Sequence, residues 1–175
     1  MTQRIALAAL AACLMLAPAI GAQAAPEPSR RIEISQMMGR WYEVARVPNV
    51  LQKNCQAGAS DWAPSPTGFA VVQSCRKGAP NGPLAIWKAR ATVDPATNAK
   101  LKMSFFGGVV TQNYVVLDHR PDQGWLALAT ADGKYLWLMS TKPTLPAAVK
   151  TQAVARIRQL GFDTARLEFP LPMGS

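Results

Sequence analysis

His119 is the only histidine in the 175-residue chain, and it follows Asp118 directly in "VVLDHR" (residues 115–120). That adjacency is where a nucleophilic triad or a metal site would begin. Neither is completed elsewhere. A triad on an α/β sheet needs its serine on a G-x-S-x-G elbow, and none occurs. A zinc site needs three or four His, Cys or carboxylate ligands, and one histidine does not supply them. Phosphate-cradling G-x-G-x-x-G and P-loop patterns are missing too, and Gly107–Gly108 reads as a turn. His119 is therefore expected at the surface end of a strand, without a catalytic role. No metal and no cofactor are expected.

The other reactive side chains are Cys13, Cys55 and Cys75. Cys13 falls in an apolar run, "IALAALAACLMLAPAI", that follows Arg4 and precedes a small-residue cleavage pattern at Ala22–Gln23–Ala24. These are the parts of a secretory signal, so residues 1–24 are expected to be removed. "LAAC" also has the form of a lipoprotein box. A soluble periplasmic product is the expectation, and a lipid-anchored outer-membrane form is the alternative. In an exported chain, Cys55 and Cys75 read as a disulfide. A turn centred near Ser65–Pro66 would set them opposite one another on two antiparallel strands, within reach of a bridge.

Losing Arg4 with the signal lowers the formal charge from +9 to +8. The positive charge is dispersed, with no run of Lys/Arg longer than two. That distribution favours small anionic molecules or membrane headgroups over nucleic acid. About 150 residues remain, enough for one domain with a real core.

The elements that must position these residues are short strands. After a polar lead (residues 25–34), β-like segments fall near 40–47, 55–63, 69–76, 84–93, 100–106, 112–119, 125–130 and 134–141. Pro, Gly, Asn and Asp divide them, the pattern of a sandwich or barrel. In "KLKMSFF", Leu101, Met103 and Phe105 alternate with Lys100, Lys102 and Ser104. In "LAIWKARATV", Trp87, Ala89, Ala91 and Val93 oppose Lys88, Arg90 and Thr92. One wet and one apolar face is the antiparallel signature, and eight strands suffice to close an up-and-down barrel. Aromatics and cations fall on opposite faces, whereas base stacking needs them together. Nucleic acid is not an expected partner. One amphipathic helix is expected over 145–162, with Pro146 in its first turn, Gly161 just past its end and a solvated basic face.

Three segments in order resemble one family. "MMGRWYEVAR" (residues 37–46) resembles the G-x-W motif that opens lipocalins. "LKMSFFGG" with "NYVVLDHR" is similar to the fifth and sixth strands of bacterial lipocalins of the apolipoprotein D type. "YLWLMSTKPTLP" and the helix after it resemble that family's last strand and C-terminal helix. The resemblance spans about residues 32–170. It implies an all-β fold, an eight-stranded antiparallel up-and-down barrel with the α-helix packed outside, here over residues 35–172.

By position, the resemblance puts Trp41 in the closed end as a plug, with Gly39 giving the chain room and Tyr42 beside it. Asp118 matches the aspartate of the family's T-D-Y motif. The family's arginine after the last strand is absent, and Ser140–Thr141–Lys142 stands there, leaving Lys142 or Arg40 as a substitute cation over the plug. The implied function is non-enzymatic carriage of a small hydrophobic ligand, such as a fatty acid or lysophospholipid, at the cell envelope, with peripheral membrane contact. Trp87, Leu101, Met103, Phe105, Tyr114 and Trp137 would line the cavity, and basic residues at the mouth would hold an anionic head. The alternative is a lipocalin-fold isomerase using Cys75. An interior of roughly 300 Å³ or more would favour the carrier.

Overall fold

The computed structural model describes residues 24–66 and 68–173. The expected signal sequence, Ala24 excepted, and Cys13 lie outside the described residues. Eight antiparallel strands close into a barrel in chain order: β1 (Gly39–Arg46), β2 (Cys55–Ser65), β3 (Gly68–Lys77), β4 (Leu84–Val93), β5 (Lys100–Phe105), β6 (Val110–Arg120), β7 (Trp125–Thr130) and β8 (Leu136–Ser140). β8 pairs back onto β1, so no edge is left open to a passing strand. The strand order and lengths follow the alternation of the sequence. Leu101, Met103 and Phe105 are buried along β5, and Lys102 between them is exposed.

Two bulges change which side chains face inward. Between Glu43 and Ala45, β1 slips by one residue against β8; between Val116 and Asp118, β6 slips against β7. An extra residue in one strand reverses the parity beyond it. Beyond the bulges Ala45 joins an outer cluster with Val115, Leu117, Ala127 and Leu138, and His119 takes the inward side in place of Asp118, while Trp41, Tyr114 and Val116 belong to the inner one. The helix α1 (Ala147–Gln159) covers the outer cluster with Ala153 and Ile157, both fully buried. Pro146 sits at its N-cap and Gly161 follows its end at φ +92°, so the helix is shorter at both ends than its sequence pattern. Its basic face is only partly solvated, because Arg156 Nε donates to Asp118 at 2.8 Å.

Cys55 and Cys75 are bonded, with Cα atoms 5.6 Å apart. They are not directly opposed. The β2–β3 connection closes between Ser65 and Gly68, one residue later than the sequence turn, so Gly58 faces Cys75 and a bulge near Cys55 brings it opposite Lys77. Gly68 fixes that connection: at φ +141° a Cβ would lie 2.0 Å from the Ala91 carbonyl oxygen. The disulfide crosses the strand pair diagonally beside the bulge. The lead segment is held along the barrel by backbone bonds, Ser29 N–H to the Leu117 carbonyl and Ile32 N–H to the Thr97 carbonyl.

Candidate functional site: the cavity and its two ends

One end of the barrel is sealed by the residues that open the domain. Gly39 has φ +95° and open space where a Cβ would be, so it serves the backbone bend and not the close approach expected of it. Trp41 is 1% exposed, and its indole N–H donates to the Met37 carbonyl at 2.9 Å, within a short 3-10 turn (Ile34–Met37). Tyr42 is half-buried and pairs with Ala59 and Ser140.

Neither expected cation lies over the plug. Arg40 is turned outward to Asp61 at 2.7 Å, and Lys142 is exposed. His119 packs edge-on to Trp41 instead, ring centroids 5.9 Å apart. At 3% exposure it is a floor residue, not the surface histidine that its strand-end position implies. The β6 bulge turns it inward. Burial and the nearby Arg30 charge hold its imidazole below the ordinary pKa, so the ring packs on Trp41 in its neutral form. Asp118 faces the opposite way, 1% exposed, accepting from Arg120 on its own strand and from Arg156 on α1. Burial alone would raise its pKa, but the hydrogen bonds from Arg156 and Arg120 hold it below the usual carboxylate value.

Above the floor lies a cavity of about 200 Å³, bounded below by Trp41, Trp62 and Met139. Its apolar wall is Phe105, Tyr114, Leu126, Leu128 and Trp137. The Tyr114 and Trp137 rings lie tilted to one another with centroids 5.8 Å apart, and burial pushes the Tyr114 phenol up to about 12. Of the six residues expected to line a cavity, Phe105, Tyr114 and Trp137 do so. Leu101 and Met103 lie outside the lining, in packed core at 2% and 0% exposure. Trp87 shares the face of Ala89 and Ala91 but is half-buried outside the lining, with Lys77 Nζ 5.3 Å from its ring centroid.

The opposite wall is polar, and sequence reasoning missed it. Glu43 lies at 8% exposure with Arg46 Nη1 at 2.7 Å and the Gln52 amide also donating to it. Gly58 leaves room for that carboxyl, since a Cβ there would sit 2.4 Å from its carbon. Burial pushes Glu43 above its ordinary pKa, with Arg46 and Gln52 acting against that rise. Gln52 comes from the β1–β2 loop that lies across the mouth, and its carbonyl oxygen accepts from Trp137 Nε1 at 2.8 Å and from Asn49 at 2.6 Å. Ser60, 7% exposed on β2, lines the same wall, and its hydroxyl has no partner among the described residues. The parity of "GRWYEVAR" places Glu43 two residues from Trp41 and on its face, and Ser60 stands likewise two from Trp62. Those signals were readable; nothing in "NVLQKN" (residues 49–54) marks Gln52 as a contact.

Residues 32–172 match the family described as the Lipocalin-like domain. The chain is 26% identical over 156 residues to the outer membrane lipoprotein Blc of Vibrio cholerae, covering 88% of this chain and 91% of that protein. Against the protein of the same name in Escherichia coli strain K12 it is 28% identical over 162 residues, 86% and 88% of the two chains. In fold it is similar to insecticyanin from the tobacco hornworm Manduca sexta, with TM-score 0.70 at 17% identity over 86% of each chain. Lobster apocrustacyanin A1 is also similar, with TM-score 0.65 at 14% identity over 90% of this chain and 94% of that one. A closed eight-stranded barrel, a G-x-W plug beneath an apolar cavity, an external helix and a family match across nearly the whole described chain agree: the chain belongs to the lipocalin family, as a bacterial lipocalin of the apolipoprotein D type.

Proposed function

We propose that the protein is a non-enzymatic carrier of a small hydrophobic ligand in the cell envelope, binding it through the mouth opposite Trp41. The observation that carries this reading is the cavity, walled on one side by Phe105, Tyr114, Leu126, Leu128 and Trp137. Each methylene removed from water against such a wall contributes about 0.8 kcal/mol before the costs of association. At about 200 Å³ the cavity falls short of the roughly 300 Å³ expected of a carrier, so it takes only part of a long acyl chain and leaves the rest in the mouth. Fatty acids and lysophospholipids suit that arrangement. The test is titration of delipidated protein with diphenylhexatriene. Saturable fluorescence at one equivalent, displaced by lipid, is the expected result; a failure to bind dye and lipid alike would end the carrier reading.

Around the mouth the loops present Val50, Leu51, Phe106 and Val109 at 81, 59, 58 and 85% exposure, with Lys53 exposed beside them. Apolar tips next to a cation suit peripheral contact with a lipid surface, through which a ligand would enter. The expected form is exported and cleaved before Ala25. Intact mass of protein from its own host distinguishes that product from one lipidated at Cys13. The isomerase alternative requires a Cys75 thiolate, and the bond to Cys55 speaks against it. Two titratable thiols in the denatured, unreduced protein would favour it.

A further inference from the structure

The polar wall of the cavity has an unfilled valence. Glu43 accepts from Arg46 and Gln52, and Gln52 accepts in turn from Trp137 and Asn49. Arg46 is spent as well: Nε donates to Glu168, Nη1 to Glu43 and Nη2 to the Cys55 carbonyl at 2.6 Å. Ser60 Oγ alone on this wall is buried and unpartnered. A buried hydroxyl without a partner is a cost that a ligand group can remove.

The charges around it restrict what that group can be. Glu43 is the only charged side chain in the lining, and no lysine or arginine reaches the cavity among the described residues. A carboxylate or phosphate drawn down to Ser60 would be desolvated beside another carboxylate with no cation free to meet it. We propose that Ser60 is the polar subsite of the cavity, and that it takes a neutral oxygen of the ligand, a hydroxyl or a carbonyl. Anionic headgroups stay at the mouth, where Lys53 and Lys134 are exposed. The ligand class is thus a neutral oxygenated lipid, or an anionic lipid carrying a hydroxyl or carbonyl along its buried chain. This deepens the carrier reading and rests on it.

The experiment is competition against diphenylhexatriene, a hydrocarbon dye that cannot use Ser60, in wild type and Ser60→Ala. Decanol and decanoate are the competitors, at about pH 8 where the acid is ionised. In wild type decanol competes better than decanoate. In Ser60→Ala its advantage falls about five- to tenfold, the effect of losing one hydrogen bond. The dye itself binds both proteins equally. Ser60→Ala also raises the unfolding midpoint of the empty protein, because an orphaned hydroxyl has been removed. Equal decanol affinity in the two proteins, as when a bound water serves the hydroxyl, would overturn the proposal, as would decanoate outcompeting decanol in wild type. Dye binding without a Ser60 effect overturns this inference alone; failure of wild type to bind dye, decanol and decanoate alike, the last two read by direct calorimetry, removes the carrier reading and this inference together.

Discussion

Trp41 and Trp137 mark the two ends of one barrel, and they are held in different ways. Trp41 gives its indole N–H to a backbone carbonyl four residues away and is packed by His119. Trp137, half-buried, gives its N–H to the side chain of Gln52, on a loop whose neighbours Val50 and Leu51 are exposed. A contact to local backbone persists as long as the turn does. A contact to a loop amide can open without disturbing the barrel, since a loop with few buried contacts opens at low cost. The same residue type thus seals one end and leaves the other able to admit a ligand.

The largest expected effect that tests this contrast is at the floor. Trp41→Ala should cost about 3–5 kcal/mol, as for a fully buried aromatic, measured by denaturant unfolding. Trp137→Ala should cost less than half of that and weaken dye binding instead. Equal losses of stability at both positions would mean that the ends are not distinct.

Asp118→Asn comes next, at about 1–2 kcal/mol near neutral pH, because Arg120 and Arg156 are partly exposed and their attraction is screened. The folded pKa of Asp118 is depressed, so its contribution is complete above about pH 4 and is lost as pH falls through the folded value. Wild type and variant should therefore converge in acid. A constant gap across that range would point to packing in place of charge.

His119 gives a smaller signature of the same sign at the floor, at higher pH. Its folded pKa is also depressed, so the unfolded chain takes up the proton first, and stability declines as pH falls below about 6.5. His119→Phe should abolish that decline, by less than about 1 kcal/mol over the first pH unit, in unfolding midpoints measured from pH 7 to 5. A decline that survives the substitution would assign it to another group. Smallest in stability is Gln52→Ala, expected within about 1 kcal/mol of wild type, yet with faster amide exchange across residues 49–54 and faster dye entry. Unchanged exchange and entry would show that the loop is not held by Gln52.

The barrel was legible because alternation survives in β4 and β5, where Lys88, Arg90 and Lys102 declare the wet face, and because breakers separate every strand. The plug was legible from the Gly39–Trp41 pairing in its family context. What escaped was set by geometry that sequence period does not carry. A single bulge in β6 turned His119 from surface to floor and Asp118 from the inner face to the outer, and the late β2–β3 turn moved Cys75 off the position opposite Cys55. Leu101 and Met103 have the right parity for a lining, but parity fixes the face and not the depth. At their level the barrel is filled by Ile32, Phe69, Val71 and Ala91. Ser60 and Glu43 are not legible from alternation, because polar residues on an inward face break it.

Under the proposed function, ligand enters at the Gln52–Trp137 end and occupies the cavity above Trp41. Indole N–H resonances report it directly, because Trp137 donates to Gln52 inside the mouth, whereas Trp125 belongs to the outer cluster and donates to Gln123. Titration of isotope-labelled protein with decanol should move the Trp137 indole signal saturably at one equivalent and leave that of Trp125 in place. A Trp137 signal that stays fixed while ligand binds would contradict the account.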